Sequence, residues 1–167
     1  MSGITLRPVC PDDEDFLYQL YCSTRLQEVA AWGWNPSQQE VFLRMQFKAQ
    51  HLHYEAQFVN VRHSIIEKDG KSIGRLFVDQ GPKEFVLVDI SLLPEHRGVG
   101  IGRYLIGRLQ AEAARMNRMV RLHVLRGNPA LHLYERLGFV CVGDDGVYSE
   151  MIWTPVEKPT SDIGGAK

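Results

Sequence analysis

The sequence predicts an α/β fold in which a mixed sheet of about seven strands carries helices on both faces. Three observations support this prediction. Short apolar runs rich in Val and Ile alternate with segments of helical periodicity, hairpin turns occur toward both ends, and one glycine-rich turn joins a strand to a helix. A chain of 167 residues is one domain of ordinary size, and we expect that domain to cover residues 1–154.

The predicted elements follow in the order β-α-α-β-β-β-α-β-α-β-β. Residues 4–8 alternate as a strand, and the proline and acidic side chains at 11–15 favour the start of the first helix. A break at 30–36 separates this helix from the next, which begins at Ser37. Residues 155–167 are polar and punctuated by Gly and Pro, which predicts a disordered tail. The other elements are strands at 61–67, 72–79, 85–93, 120–125, 139–142 and 147–153 and helices at 101–116 and 128–138.

Composition excludes several classes of function. The chain has 19 Lys and Arg against 20 Asp and Glu, a formal net charge of -1, so neither nucleic-acid binding nor membrane binding is expected. Cys10, Cys22 and Cys141 are scattered, without disulfide or zinc-site spacing, which predicts reduced thiols in a cytoplasmic protein. His51 and His53 lack a third ligand at suitable spacing, so no metal is expected.

The strongest functional signal is a glycine-rich turn that opens a helix. Unpaired amides and positive potential at a helix N-terminus attract anions, and Gly98, Gly100 and Gly102 lack the side chains that would keep a phosphate away. Arg97 and Arg103 flank the turn with forked cationic donors. The dinucleotide motif would need glycine at position 103, and no Gly-Lys-Ser/Thr triplet of a P-loop occurs. We therefore expect a phosphate-bearing ligand; the alternative is a turn whose glycines serve packing only.

Two motifs carry a resemblance to a known family. Arg97-Gly98-Val99-Gly100-Ile101-Gly102, together with the order of elements, resembles the pyrophosphate loop (Q/R-x-x-G-x-G/A) of the GNAT superfamily of acyl-CoA-dependent N-acyltransferases. Asn128-Pro129-Ala130-Leu131-His132-Leu133-Tyr134-Glu135-Arg136-Leu137-Gly138-Phe139 looks like the family's second signature, with its asparagine, tyrosine and Leu-Gly-Phe. Asn128 lies one residue closer to Tyr134 than in the commonest family spacing. The resemblance is sharp over residues 84–142 and topological before them.

The resemblance implies a GNAT fold that transfers an acetyl group from acetyl-CoA to a primary amine of a small molecule or peptide, by direct attack in a ternary complex. In the family, the pantetheine arm pairs with the exposed edge of the strand before the glycine loop, and an amide there, of Ile90 or Leu92, donates to the oxyanion. Arg97 and Arg103 would add charge near the phosphates or form surface ion pairs. The implied coenzyme A contacts are Ile90, Ser91, Leu92, Arg97, Gly98, Val99, Gly100, Ile101, Gly102, Arg103, Asn128 and Tyr134.

Three side chains are candidates for the chemistry. Tyr134 is the candidate general acid for the leaving sulfur, because even a phenol of pKa ~10 can assist a thiolate by a hydrogen bond; the alternative is that it only packs on the cofactor. Asp89 is the candidate base, since it is the only ionisable side chain inside an otherwise apolar strand and burial would raise its pKa. Asp89 could instead pair with Arg75 or His123, or face away from the acceptor. Glu84, at the start of the strand, is the next candidate base.

Other functions and surfaces stay open at this point. The first rival is a non-catalytic acyl-CoA-binding sensor, and the second is a mutase or a transferase of longer acyl groups. A homodimer is a further option, with residues 148–153 as a candidate surface. We expect the acceptor site in the first two helices and their loop, near the aromatic and polar side chains of Trp32, Trp34, Gln46, Gln50, His51, His53 and Tyr54.

Overall fold

The computed structural model describes residues 1–156, so the predicted tail lies outside the described residues from residue 157 onward. The strands are β1 (Ile4–Pro8), β2 (Val61–Lys68), β3 (Lys71–Gln80), β4 (Glu84–Leu92), β5 (Met119–Leu125), β6 (Val140–Asp144) and β7 (Tyr148–Trp153). The helices are α1 (Glu14–Ala30), α2 (Pro36–Gln57), α3 (Ile101–Arg115) and α4 (Ala130–Arg136), with short 3-10 turns at Pro11–Asp13 and Pro94–His96. The predicted order of elements is confirmed.

All seven strands form one mixed sheet in the order β1-β2-β3-β4-β5-β7-β6. Every pair is antiparallel except β4 with β5, and β4 occupies the central position that its apolar sequence predicts. The fold class predicted from the sequence is therefore confirmed. Because β7 pairs with β5 on one side and β6 on the other, it has no free edge for a second copy.

Two apolar layers hold the helices on the sheet. On one face, α3 and α4 cover the larger core, in which Phe85 of β4 is fully buried against the helical repeat of Leu105 and Leu109. On the other face, α1 and α2 pack through Leu17 and Phe47 onto β2. Each buried side chain of this size contributes roughly 1.5–3 kcal/mol, so these two layers fix the central strands that carry the candidate site.

Candidate active site

The two parallel strands separate partway along their length, and the opening between their unpaired ends is called the cleft below. Their pairing ends at Leu87, opposite Leu122, although β4 continues to Leu92 and β5 to Leu125. Just beyond this point the register of β4 on β3 shifts, and the extra residue of this β-bulge is Val88. A bulge bends its strand and increases its local twist, which accounts for the divergence of β4 from β5.

The bulge also decides which face each side chain of β4 occupies. Leu87 before the bulge and Ile90 after it both pack toward the α3 core, because the extra residue reverses the two-residue alternation. Asp89 and Ser91 therefore lie on the opposite face, toward α2. Polar side chains are in this way placed beside the cleft without entering the apolar core.

Backbone groups of β4 line one wall of the cleft. The Leu93 N–H donates to the Ile73 carbonyl oxygen at 2.8 Å. In an antiparallel pair, residues alternate between bonding their partner and pointing away from it, so Ser91 bonds toward β3 while Ile90 and Leu92 point toward the cleft. Since β5 no longer pairs here, the amides of Ile90 and Leu92 can receive an extended ligand or an oxyanion. The Ser91 backbone, one of the predicted contacts, serves the sheet instead.

The glycine turn follows β4 directly at the mouth of this cleft. Gly98 and Gly100 have φ values of 72° and 92°, in the left-handed region that glycine tolerates, and Gly100 caps α3. The Tyr104 N–H donates to the Gly100 carbonyl oxygen at 3.0 Å, so the amides of Ile101 and Gly102 precede this helical bond. Exposed amides at the positive end of a helix form a phosphate-binding arrangement.

The two arginines of the turn differ in their contacts. The Arg97 Nε donates to the Leu92 carbonyl oxygen at 2.8 Å, and its guanidinium lies 3.4 Å from the Ser23 hydroxyl of α1. Arg97 thus ties the turn to the end of β4. Arg103 is exposed on the first turn of α3 and has no ion-pair partner within residues 1–156. Of the two, Arg103 is the freer to meet a phosphate.

Tyr134 lies buried on α4, with its ring 5.8 Å from that of Phe139. Burial raises the pKa of Tyr134 to about 12, and the negative charge of Asp89 adds to the rise. The structure therefore brings Tyr134 and Asp89 into electrostatic range of each other. Within residues 1–156 no partner accepts a hydrogen bond from the phenol, which stays protonated at neutral pH and is free to donate.

Asp89 has two partners on its face of the sheet. The Arg75 Nε donates to the Asp89 carboxylate at 2.6 Å, and the Ser91 hydroxyl donates to the same oxygen at 2.9 Å. Arg75, whose side chain is only 8% exposed, also donates to Gln50 of α2 at 3.0 Å. Of the arrangements left open by the sequence, pairing with Arg75 is the observed one. The buried guanidinium of Arg75 compensates the charge of this carboxylate.

Glu84 lies at the opposite end of β4. The Arg121 Nε donates to both carboxylate oxygens of Glu84, at 3.2 and 3.1 Å, and Arg121 also pairs with Glu150 of β7. Asp89 lies five positions along the strand from Glu84, a distance of roughly 17 Å. The structure does not bring Glu84 together with Tyr134 and Asp89, and this corrects its candidacy as the base.

Asn128 bonds to the first turn of α4, the helix that carries Tyr134. Its side-chain oxygen accepts a hydrogen bond from the Ala130 N–H at 2.9 Å, which satisfies a free amide at the start of α4. Asn128 is exposed, and its side-chain nitrogen has no partner within residues 1–156. One end of the amide therefore positions α4, and the other can still contact a ligand.

Only part of the expected acceptor region reaches the cleft. Gln50 contacts Arg75. Tyr54 lies near Asp89: burial is the main cause that raises the pKa of the Tyr54 phenol, and the negative charge of Asp89 adds to the rise. His51 instead pairs with Glu55 along α2 at 3.1 Å.

The two tryptophans of the expected acceptor region lie at the connection between α1 and α2. Trp32, Trp34 and Phe42 contact one another edge to face, with ring centroids 5.2–5.3 Å apart. This packing already occupies part of their apolar surface. The predicted aromatic character of the loop is thus largely a local cluster.

One buried group beside the site was not predicted. A cavity of about 270 Å³ between α2 and the sheet is lined by Tyr54, Phe58, His63 and Phe77, among others. Burial lowers the pKa of His63 to about 4, and its Nε2 is buried without a partner in residues 1–156. The only sequence signal for this position is the two-residue alternation of β2, which puts residue 63 on the same face as Ile65.

No three His, Cys, Asp or Glu side chains of residues 1–156 are grouped so as to hold a metal ion. In the same residues, no helix combines the length and the apolarity that crossing a membrane would need.

An open strand edge next to an anion-binding turn is the arrangement expected of a transferase that takes its acyl group from acyl-CoA. Residues 59–141 match the family model described as an acetyltransferase (GNAT) domain. The chain belongs to the GNAT acetyltransferases, and it is an acetyl-CoA-dependent enzyme. The sequence-based identification of the family is confirmed.

Solved structures agree on the fold. The PaiA N-acetyltransferase of Thermoplasma acidophilum in complex with coenzyme A is 19% identical, with a TM-score of 0.69 over 92% of this chain and 99% of its own. An acetyltransferase of Thermus thermophilus is 21% identical, with a TM-score of 0.67 over 91% and 97%. The spermidine N-acetyltransferase of Vibrio cholerae in complex with CoA and spermine is 24% identical, with a TM-score of 0.63 over 92% and 96%. No match to a curated protein sequence was found.

Proposed function

We propose that the protein is an N-acetyltransferase that moves the acetyl group of acetyl-CoA directly to a primary amine of a small molecule or peptide. The observation that carries this proposal is the opening between β4 and β5, where the amides of Ile90 and Leu92 face away from β3 and Tyr134 lies within electrostatic range of Asp89. An amine acceptor must lose a proton before it attacks, and the departing sulfur gains from a hydrogen-bond donor. Both requirements have a matching side chain at the cleft.

The acetyl donor, acetyl-CoA, would be bound mainly by backbone groups rather than by a set of charged side chains. We assign the pantetheine arm to the open edge at Ile90 and Leu92, because these residues point away from β3 where β5 has left the ladder. The amides from Gly98 to Gly102 would hold the pyrophosphate, and Arg103 would add charge from the first turn of α3. Acetyl-CoA, when bound, supplies the acetyl group.

The two reactive side chains have distinct roles in this proposal. The Tyr134 phenol, with its raised pKa of about 12, donates a hydrogen bond to the leaving sulfur without releasing its proton. The Asp89 carboxylate, held by Arg75 and Ser91, accepts the proton of the amine directly or through a water. The Asp89–Arg75–Gln50 chain orients that carboxylate between β4 and α2.

The chemical class of the acceptor is inferred from the side chains on the α2 face. One structural relative is a spermidine N-acetyltransferase with bound spermine, but at 24% identity it supports the fold alone. The acceptor would approach from the α2 face, where Asp89 and Tyr54 lie. A carboxylate and an aromatic ring on this side favour a cationic amine, so polyamines, amino acids and peptides with free amines are the acceptors to compare.

The test is steady-state thiol release from acetyl-CoA across that panel, combined with calorimetric binding of CoA. We expect acceptor-dependent release in the wild type. In Tyr134→Phe, kcat should fall on the order of 100-fold while CoA affinity is unchanged, because only a donor to the developing negative charge is removed. Tyr18→Phe, in a ring that packs on Phe47 between α1 and α2, is the matched control and should leave kcat unchanged.

Each other outcome has a defined meaning. A Tyr134→Phe enzyme with wild-type kcat would refute the role of the phenol but leave the transferase standing. Tight CoA binding with no turnover on any acceptor would favour a non-catalytic acyl-CoA sensor. Absence of CoA binding would refute the assignment of the cleft and of the glycine turn together.

A further inference from the structure

The outer face of α2 carries an exposed apolar line that the fold does not use. Val41, Met45 and Leu52 are 71%, 57% and 65% exposed, and Ala49 and Ala56, which continue the same line, are exposed as well. Steps of three and four residues place all five on one side of the helix. The line is roughly 22 Å long, at 1.5 Å per residue.

The opposite side of α2 already satisfies the chain's own core. Leu43 and Phe47 are buried against α1 and the sheet, and Gln50 and Tyr54 reach the active-site face. A surface helix normally has one apolar face, and α2 has two. The exposed apolar line on the outer face of α2 therefore indicates an interaction surface.

We propose that α2 pairs in antiparallel orientation with α2 of a second copy of this chain. In one register about a two-fold axis, Met45 lies opposite Ala56 of the partner copy and Leu52 lies opposite Ala49. The two contacts share that register because the steps from 45 to 49 and from 56 back to 52 each advance one helical turn. Large side chains thus meet small ones, which lets the two ridges interdigitate.

The charges on one flank of the line are complementary in the same register. Glu55 of one copy lies between Arg44 and Lys48 of the other, and the two-fold axis repeats the contact. Lys48 has no ion-pair partner within residues 1–156. The ion-pair partners of Arg44 and Glu55 are exposed and lie on the same helix, Glu40 at 3.3 Å and His51 at 3.1 Å. The Arg44 guanidinium also lies over the Tyr18 ring of α1, 4.2 Å from its centroid. The exposed ion pairs contribute little and can be exchanged for contacts across the interface.

Charge also argues against a lipid surface as the occupant. Within α2, Glu40 and Glu55 balance Arg44 and Lys48, whereas helices that lie on anionic membranes carry an excess of Lys and Arg. A single helix pair is smaller than a standard interface of roughly 800 Å² per partner, so the dimer should dissociate on dilution.

Sedimentation velocity of the full chain over a wide concentration range tests the proposal. We expect a concentration-dependent dimer in the wild type and at least a tenfold rise of the dissociation constant in Leu52→Glu. Glu55→Lys should weaken the dimer as well, and Lys48→Glu combined with Glu55→Lys should recover part of the loss. Leu26→Glu, which changes another exposed leucine, 51% exposed on α1, is the control and should dimerise like the wild type.

At a dilution where the wild type is monomeric, thermal unfolding of Leu52→Glu should match the wild type, because the Leu52 side chain is exposed in the monomer. Loss of the dimer in this variant then cannot reflect misfolding. A chain that stays monomeric at every concentration overturns the proposal. So does a dimer that survives Leu52→Glu; if Val142→Glu on the edge strand β6 abolishes that dimer, the sheet edge is the interface. A monomer that binds anionic vesicles through Leu52 would assign the line to a membrane surface instead.

Discussion

Protonation of His63 is expected to destabilise the fold below neutral pH. The imidazole lies on β2 under the C-terminal half of α2, with its ring 4.8 Å from that of Phe77. Its Nε2 is buried and has no hydrogen-bond partner in residues 1–156. A charge on this ring would be desolvated without a compensating carboxylate in contact, which favours the neutral form in the folded protein.

The size of the effect follows from the pKa of His63. The pKa of His63 is lowered from 6.5 to about 4, mainly by burial; Arg75 and His51 contribute to this lowering, and Asp89 and Asp13 oppose it. Between these two pH values the unfolded chain binds a proton that the folded chain does not, so stability rises with pH across this window. The contribution is complete above pH ~6.5 and is lost as the pH falls toward 4. The full shift corresponds to about 3.4 kcal/mol, and solvent screening of this half-buried group reduces it to about 2 kcal/mol.

The assay is urea unfolding followed by tryptophan fluorescence at several pH values between 7 and 4.5, for the wild type and His63→Phe. The loss of unfolding free energy over this range should be smaller in His63→Phe by about 2 kcal/mol. His132→Phe, at a histidine whose side chain is 75% exposed, should keep the wild-type pH dependence. Parallel curves for the wild type and His63→Phe would refute the assignment of this acid sensitivity to His63.

Two further predictions concern elements that hold the proposed donor site. Gly100→Ala should weaken CoA binding at least tenfold by calorimetry and cost about 1 kcal/mol of stability. The reason is that φ is 92° at this position and a Cβ would come within 3.3 Å of the Met1 side chain. The control is Gly107→Ala, inside α3 with open space around it, which should bind CoA normally and gain about 0.5–1 kcal/mol of stability. Asn128→Ala should cost about 1 kcal/mol in thermal unfolding and lower kcat through α4, since it removes the hydrogen bond to the Ala130 amide, whereas an unchanged melting temperature would contradict the capping role.

Local signals in the sequence were enough to predict the elements. The turn between β2 and β3 shows why, since Asp69 and Gly70 both have positive φ, 50° and 80°, as the hairpin signal Asp-Gly requires. The periodicity of α3 likewise follows from residues that are neighbours along the chain. Where the physics is local, a single sequence predicts both the type of an element and its position to within a residue or two.

Local patterns could not predict on which face of β4 the Asp89 side chain lies. Val88 is an ordinary strand residue, and nothing in its neighbours marks a bulge. Without that bulge, Asp89 would share a face with Leu87 and point into the α3 core. The choice among its possible partners depended on the register of β3, which places Arg75 opposite Ser91, and that pairing is long-range.

The two halves of the candidate site therefore differ in how far the sequence specifies them. The donor half rests on consecutive residues, from the strand edge at Ile90 to Gly102, so one continuous segment carries both the edge and the turn. The acceptor half depends on where Gln50 and Arg75 meet Asp89, which requires α2, β3 and β4 to be assembled first. The bulge at Val88 links the halves, because the same irregularity that separates β4 from β5 also turns Asp89 toward α2. A change in the length of β4 at this point would alter donor and acceptor sites together, whereas changes on α2 would reach the acceptor side alone.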